Sequence, residues 1–157
     1  MAYADQAFYS GAFHGDVLTA DNAEKWLDRA SDEVDHLTFG RLISAFPTVE
    51  AHAVKVKKAV CAIAEALYRI DEQRKAALVQ KAADGSYHGA VASISSGKES
   101  ISYVSGSSAT ASSVYAAAAA DTVAQTALIR DIAAAYLANI PDANGVNLLY
   151  AGGGRYV

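Results

Sequence analysis

The clearest periodicity lies between residues 23 and 37. Ala23, Trp26, Leu27, Ala30, Val34 and Leu37 recur at helical intervals, and Lys25, Asp28, Arg29, Asp32, Glu33 and Asp35 fill the opposite face. Just upstream, Thr19-Ala20-Asp21-Asn22 offers short oxygen-bearing side chains to the free N–H groups of a first turn. Thr19 or Asp21 is therefore the expected cap, with Glu24 at capping-box spacing from Asp21. Gly40 and Pro47 bracket a short apolar connector of Leu42, Ile43 and Phe46. A second stripe, Val56, Ala59, Val60, Ile63, Leu67 and Ile70, predicts a helix from about Thr48 or Glu50 to about Ala83. Such a helix is roughly 50 Å long, and Asp84-Gly85 is its stop signal.

From Ser86 to Ser108 serine and glycine rise and helix formers fall. Val91 to Val104 reads as a β-hairpin with its turn near Ser96-Gly97, placing Ile101 and Tyr103 on one strand face. A lone hairpin is marginal in water, so this one is expected to pair with another chain or pack on a neighbour. A flexible Ser/Gly linker is the competing reading. A third helical region spans about Ala109 to Ala138, with five consecutive alanines at 116–120 and a stripe of Ala124, Leu128, Ile132 and Tyr136. Asp121 either caps a second helix there or sits on a continuing one.

Neither end is periodic. Met1 to Leu18 is aromatic and glycine-punctuated, an irregular segment that must lie on something to be ordered. Asn139 to Val157 carries only two charged side chains, Asp142 and Arg155, and could reach roughly 60 Å if fully extended. Asn144-Gly145 is a turn signal, Val146 to Tyr150 is strand-like, and Gly152-Gly153-Gly154 follows. So apolar an arm makes sense docked on another subunit. The expected fold is mainly α: a small bundle of about three to four helices, a protruding β-hairpin and an extended C-terminal arm. Residues 1–138 would form the helical domain, with the irregular segment at 1–18 and the hairpin insertion at about 86–108. Residues 139–157 would form the arm. The expected helix core is Trp26, Leu27, Val34, Leu37, Val60, Ile63, Leu67, Leu128, Ile132 and Tyr136.

Composition narrows the function. The chain has 157 residues, enough for one domain or one domain plus an arm. Thirty-five of them are alanine, which favours close helix contacts over a thick core. A net charge of −4 and a pI near 5.5 exclude a strongly basic nucleic-acid footprint over the whole chain. Nine tyrosines suit surfaces that become buried on assembly. Cys61 is the single cysteine, so no intramolecular disulfide and no Cys-based zinc site is possible. Its place on an apolar stripe makes it a small buried hydrophobe. The start has no basic region ahead of an apolar one, and the apolar stretch at Val114 to Ala120 is too short to span a bilayer. The expectation is a soluble protein made in a reducing cytoplasm, with no membrane partner.

No motif gathers catalytic chemistry. His14, His36, His52 and His88 are scattered without metal-ligand spacing, and no GxSxG or P-loop pattern occurs. No catalytic residue, cofactor or metal is expected. Asp32, Glu33, Asp35, Asp71 and Glu72 read as solvated helix faces, or as acids lining a channel that repels passing DNA. Lys55, Lys57 and Lys58 read as a solvent face, or as a salt-bridging patch against an acidic neighbour.

Taken in order, several stretches resemble the head–tail connector (adaptor, or head-completion) proteins of long-tailed bacteriophages. Leu18 to Ser31 carries the first part of the resemblance. Val34-Asp35-His36-Leu37-Thr38-Phe39-Gly40-Arg41-Leu42 continues it, since the family typically has an acid, Leu-Thr, and an Arg before an apolar residue. Val56 to Tyr68 is similar to the family's second helix, and Ser96 to Tyr103 to its hairpin. Tyr136-Leu137 and Gly145-Val146-Asn147-Leu148-Leu149-Tyr150 are similar to the end of its last helix and the start of its arm. The resemblance implies a ring, usually of twelve copies, beneath the portal protein at one capsid vertex. Such a ring extends the DNA channel, through which genomic DNA passes without sequence-specific binding, and offers a platform to a stopper or tail-completion protein. It implies a virion (neck) location after assembly in the host cytoplasm, and no reaction. The arm residues Val146, Leu148, Leu149, Tyr150 and Tyr156 would then meet the portal or an adjacent copy. The hairpin residues Ile94, Ile101 and Tyr103 would serve ring or tail-side contacts. The alternatives are a small helical regulator binding a protein or DNA partner, and an enzyme with an unrecognised site.

Overall fold

The computed structural model describes residues 2–77 and 113–151, together with the strand segments 80–81, 87–88, 94–96 and 99–101. The described chain is mainly helical. Its helices are α1 (Gln6–Gly11), α2 (Ala20–Leu37), α3 (Arg41–Ser44), α4 (Glu50–Ala77), α5 (Val114–Ala120) and α6 (Thr122–Leu137). The chain divides into two compact units, Met1–Tyr68 with Ala127–Val157, and Arg69–Thr126.

In the first unit α2 begins at Ala20 because Thr19 holds an extended N-cap conformation. Asn22, at the third helical position, turns its side chain back so that its Oδ1 accepts the Thr19 N–H at 3.0 Å. The expected Asp21–Glu24 pair is therefore displaced by one turn-start: with Thr19 as cap, the residue that can reciprocate is Asn22. The apolar face of α2 buries Ala23, Trp26, Leu27, Ala30 and Val34 against Val56, Val60 and Ile63 of α4 and Ile129, Ala133 and Leu137 of α6. Leu37 and Leu67 are half-buried at the edge of this core.

The stripe expected on α6 is rotated by one residue. Ile129, Ala133 and Leu137 are buried, whereas Leu128, Ile132 and Tyr136 are half-buried flanks. Two apolar rows, four residues apart along the helix, lie side by side here, and periodicity cannot rank adjacent rows. The deepest line runs through the small Ala133, which is buried in the core.

Residues 2–18 are not irregular throughout: they contain α1, capped by Asp5, whose Oδ1 accepts the Phe8 N–H at 2.8 Å. Tyr9 is the anchor. Its ring is 2% exposed, and its phenol donates to Glu65 Oε1 at 2.7 Å while accepting the N–H groups of Val17 and Leu18 at 3.0 and 2.9 Å. Gly15 lies flat on that ring; a Cβ there would sit 2.1 Å from Tyr9 Cζ. Ahead of α1, the Tyr3 N–H donates to Ser31 Oγ at 3.0 Å and its ring stacks on Phe46, with centroids 5.5 Å apart.

An extended arm at 139–157 is also corrected. Asn139 ends the last helix in a left-handed conformation. Residues 140–150 then fold back onto the first unit, and Leu148 is completely buried in its core. The Leu148 N–H donates to the Ile140 carbonyl at 2.9 Å, and the Ala143 N–H donates to the Ala45 carbonyl at 3.0 Å. Among the 19 residues from 139, the described portion is thus part of the helical unit, not a free arm.

In the second unit, α4 stops at Ala77, short of Ala83. Gln80 and Lys81 form β1, paired antiparallel with β2 (Tyr87–His88); Asp84-Gly85 lies in sequence between them. β3 (Ile94–Ser96) pairs antiparallel with β4 (Glu99–Ile101), in the register Ile94 to Ile101. The third helical region is broken in two. Asp121 is extended, caps α5, and accepts the Val123 N–H on its Oδ1 at 2.9 Å to open α6. Arg74 reinforces the break: its Nε donates to the Ala119 carbonyl at 3.2 Å and an Nη2 to Gln125 Oε1 at 2.6 Å. A cation at the C-terminus of α5 also favours its dipole. Arg69 lies over the Tyr115 ring at 5.4 Å. Ile70 and Ala118 are buried.

Candidate interaction surface

The C-terminus of α2 builds the first half of the surface. Thr38 caps the helix, with its buried hydroxyl donating to the Val34 carbonyl at 2.8 Å. The Phe39 N–H then donates to the His36 carbonyl at 3.2 Å, and the Gly40 N–H to the Asp35 carbonyl at 2.8 Å. These are the two bonds of a Schellman turn, whose first residue past the cap must be left-handed and is usually glycine. Here it is Phe39, at φ 55°, followed by Gly40 at φ 69°. A bulky aromatic in that region is strained. The strained backbone holds the Phe39 ring outward, 58% exposed.

The second half comes from the C-terminal loop. Asp142 Oδ1 accepts the N–H groups of Asn144 and Val146 at 2.8 and 2.9 Å. Gly145 takes φ 80°, which a side chain would resist, and the Asp142 N–H donates to the Val146 carbonyl at 2.8 Å. This closed turn brings Leu148 inward and leaves Val146 and Tyr150 exposed.

Arg41, on α3, ties the halves together. Its Nη1 donates to the Asn147 carbonyl at 2.7 Å, across 106 residues of sequence. Its guanidinium lies 5.9 Å from the Phe39 ring centroid and 5.8 Å from that of Tyr150. Beside this cluster opens a groove of about 590 Å³. One wall is Asp35 to Leu37 with Phe39 and Gly40; the other is Arg130, Ala133 and Ala134 of α6; Leu149 completes the lining. Ile43 is exposed nearby in sequence, on α3. The Asp35 carboxylate is already occupied, accepting the Tyr3 hydroxyl at 2.5 Å. Arg130 has no ion-pair or hydrogen-bond partner among the described residues.

The residues expected at interfaces fall differently. Val146 and Tyr150 are on the surface, Leu149 is half-buried in the groove lining, and Leu148 is in the core. Leu148 is thus corrected from an interface to a packing residue: the Asp142–Gly145 turn points it inward. Tyr156 and Tyr103 lie outside the described residues, as do the side chains of Ile94 and Ile101. Of the expected core, Trp26, Leu27, Val34, Val60 and Ile63 are in the cluster. Sequence reasoning did not single out Phe39 or Arg130, and marked Arg41 only as the arginine before an apolar residue in the family-like stretch. Thr38-Phe39-Gly40 directly after the apolar stripe of α2 was the one available signal, a helix stop with an aromatic in it.

Titratable groups elsewhere are structural. Burial pushes the Tyr9 phenol up to about 12, opposed by the Leu18 N–H and assisted by Glu65. Burial, then Asp35, holds the Tyr3 phenol well above its ordinary value. Burial, then Glu65 and Asp5, pushes the Cys61 thiol up to about 12, so its reactive thiolate is suppressed. Among the described residues no group of three or more His, Cys, Asp and Glu could hold a metal ion, and no helix is long and apolar enough to cross a membrane. No protein-family model matches the chain, and no curated protein or solved structure matches it significantly.

Proposed function

We propose that the chain is a structural subunit of a bacteriophage neck, a head–tail connector that forms a ring beneath the portal. The observation that carries this reading is the meeting of Arg41 with Asn147. It joins two of the stretches that resemble the connector family, 34–42 and 145–150, into one surface with Phe39 and Tyr150 exposed. Phe, Tyr and Arg are the residue types that concentrate binding energy at interfaces. The mainly helical architecture is in keeping with the family's core.

In this reading the subunit performs no reaction. The ring, of about twelve copies as the family implies, extends the DNA channel and offers a platform to a stopper or tail-completion protein. Contacts with neighbours run through Val146, Leu149 and Tyr150 and through Phe39 and Arg41 beside them. A protruding β3–β4 hairpin contributes Ile94, Ile101 and Tyr103 to ring or tail-side contacts. DNA passes without sequence-specific binding, and no cofactor or membrane is involved. The protein works in the virion neck after assembly in the host cytoplasm.

Native mass spectrometry tests this, with the chain alone and mixed with the portal protein of the same phage. A stoichiometric high-mass complex is expected, and its mass gives the copy number. A monomer in both samples would remove the connector reading and turn attention to a salt-dependent DNA titration, the signature of a regulator.

A further inference from the structure

We propose that the groove between the C-terminal end of α2 and α6 receives a short apolar segment of another protein chain, and that a carboxylate on this segment pairs with Arg130. Any chain of that chemistry, phage-borne or not, would satisfy the groove.

The charge pattern selects the occupant. Of the two full charges in the lining, Asp35 already accepts the Tyr3 hydroxyl, whereas Arg130 is exposed and has no partner among the described residues. A second cation, Arg41, stands between Phe39 and Tyr150, held by a carbonyl and, among the described residues, by no carboxylate. The vacant valence is therefore for an anion. A bond between a guanidinium and a carboxylate is charge-assisted and about twice as strong as a neutral one. Leu37, Phe39, Ala133, Ala134 and Leu149 make most of the lining apolar, so the remainder of the occupant is apolar.

The surroundings favour a polypeptide over a small ligand. A cavity of about 590 Å³ alone would suit either. Phe39 and Tyr150 stand exposed beside it, a rim that a flanking stretch of polypeptide would cover. The left-handed backbone at Phe39 leaves its ring mostly in solvent, with Arg41 beside it, where an outside contact can reach it. The chain's own residues 152–157 are a poor occupant. Their single charged side chain is Arg155, of the same sign as Arg130 and Arg41.

An immobilised array of seven-residue peptides tests this directly. Every position is apolar except the centre, which is Asp, Asn or Lys, and the labelled full-length chain is the analyte. Asp-centred peptides should bind roughly three- to tenfold better than their Asn counterparts, with Lys weakest. Arg130→Glu should reverse the order of Asp and Lys. Ala134→Trp should fill the groove and abolish binding of all three. Both positions are exposed, so both variants should melt with the parent in circular dichroism, which separates lost binding from lost fold. Absence of binding, equal binding by the three series, or indifference to either substitution overturns the proposal. Binding that appears only after residues 152–157 are removed would make the tail the occupant and overturn it as well.

Discussion

The two non-periodic segments of the first unit, residues 2–18 and 139–150, solve one problem in opposite ways. Each is apolar, short of regular structure and too small to fold alone. The N-terminal segment directs its aromatic anchor inward. One phenol takes three hydrogen bonds, and Gly15 is shaped to its ring. The C-terminal segment uses an acid instead, closing a turn on Asp142 that sends one side chain, Leu148, into the core. Its aromatic, Tyr150, stays 56% exposed. The first segment is a strap that completes the core. The second both plugs the core and presents a surface.

The largest effect should come from the plug. Leu148→Ala leaves a cavity in a fully buried site and should cost about 3 kcal/mol, within the usual span for such truncations. Urea unfolding measures it. Deleting residues 144–157 removes the same plug, so that truncation should also be destabilised. A near-native unfolding midpoint for either variant would mean that Leu148 is not part of the core, and the two segments would no longer be comparable.

Gly15→Ala comes next, at about 2 kcal/mol, because the new methyl overlaps a ring that three hydrogen bonds hold in place. A thiol reagent can follow it locally. Cys61 is buried and should label slowly in the parent and faster in the variant if the strap has lifted. Equal labelling rates with lost stability would place the damage elsewhere.

Tyr9→Phe keeps the ring and deletes only the hydroxyl. It strands two backbone N–H groups, costing about 1–2 kcal/mol. The same hydroxyl predicts a pH dependence. Its proton is held up to about 12 in the folded chain, against the ordinary tyrosine value of 10.0 when unfolded. Between those values the folded state binds more protons than the unfolded one, so stability falls as pH rises. The stabilisation is complete below pH 10 and is lost towards pH 12. Tyr3 and the buried Cys61 thiol, both shifted in the same direction, steepen the decline. Tyr9→Phe should flatten this alkaline slope without removing it. An unchanged slope would assign the whole effect to Tyr3 and Cys61.

How much of this was legible depends on what each element rests on. Helix α2 was readable because one amphipathic stripe and one cap coincide in twenty residues of sequence. The deep row of α6 was not, because Leu128-Ile129 and Ile132-Ala133 put equally apolar rows side by side, and only burial in the folded chain ranks them. The strap was unreadable for a different reason. Its order depends on Glu65, fifty-six residues away, and no local pattern encodes that bond. The turn at Asn144-Gly145 was visible as a turn. That it delivers Leu148 inward, with Ala143 bonded to Ala45, was not, since apolar arms and apolar plugs have the same composition. The interaction surface stayed hidden because it joins residues 39–41, 130 and 149–150, which meet only in the folded chain.

The smallest effect is the most informative about what the exposed side of this comparison is for. Phe39 occupies the left-handed position of its turn that glycine usually takes. Phe39→Gly should therefore raise stability slightly, by about 0.5 kcal/mol, after the loss of its contact with Arg41 and the greater freedom of the unfolded chain are counted. The same substitution should weaken binding at the groove, since the ring that rims it is gone. Gain of stability with loss of binding is the mark of a residue retained for a partner at the expense of the free subunit. Thermal melting and the peptide array read the two sides separately. If Phe39→Gly instead lowers stability by more than about 1 kcal/mol, beyond what an exposed ring accounts for, Phe39 belongs with Leu148 among the packing residues. The C-terminal end of α2 would then be another plug, and the contrast between strap and presenting surface would rest on Tyr150 alone.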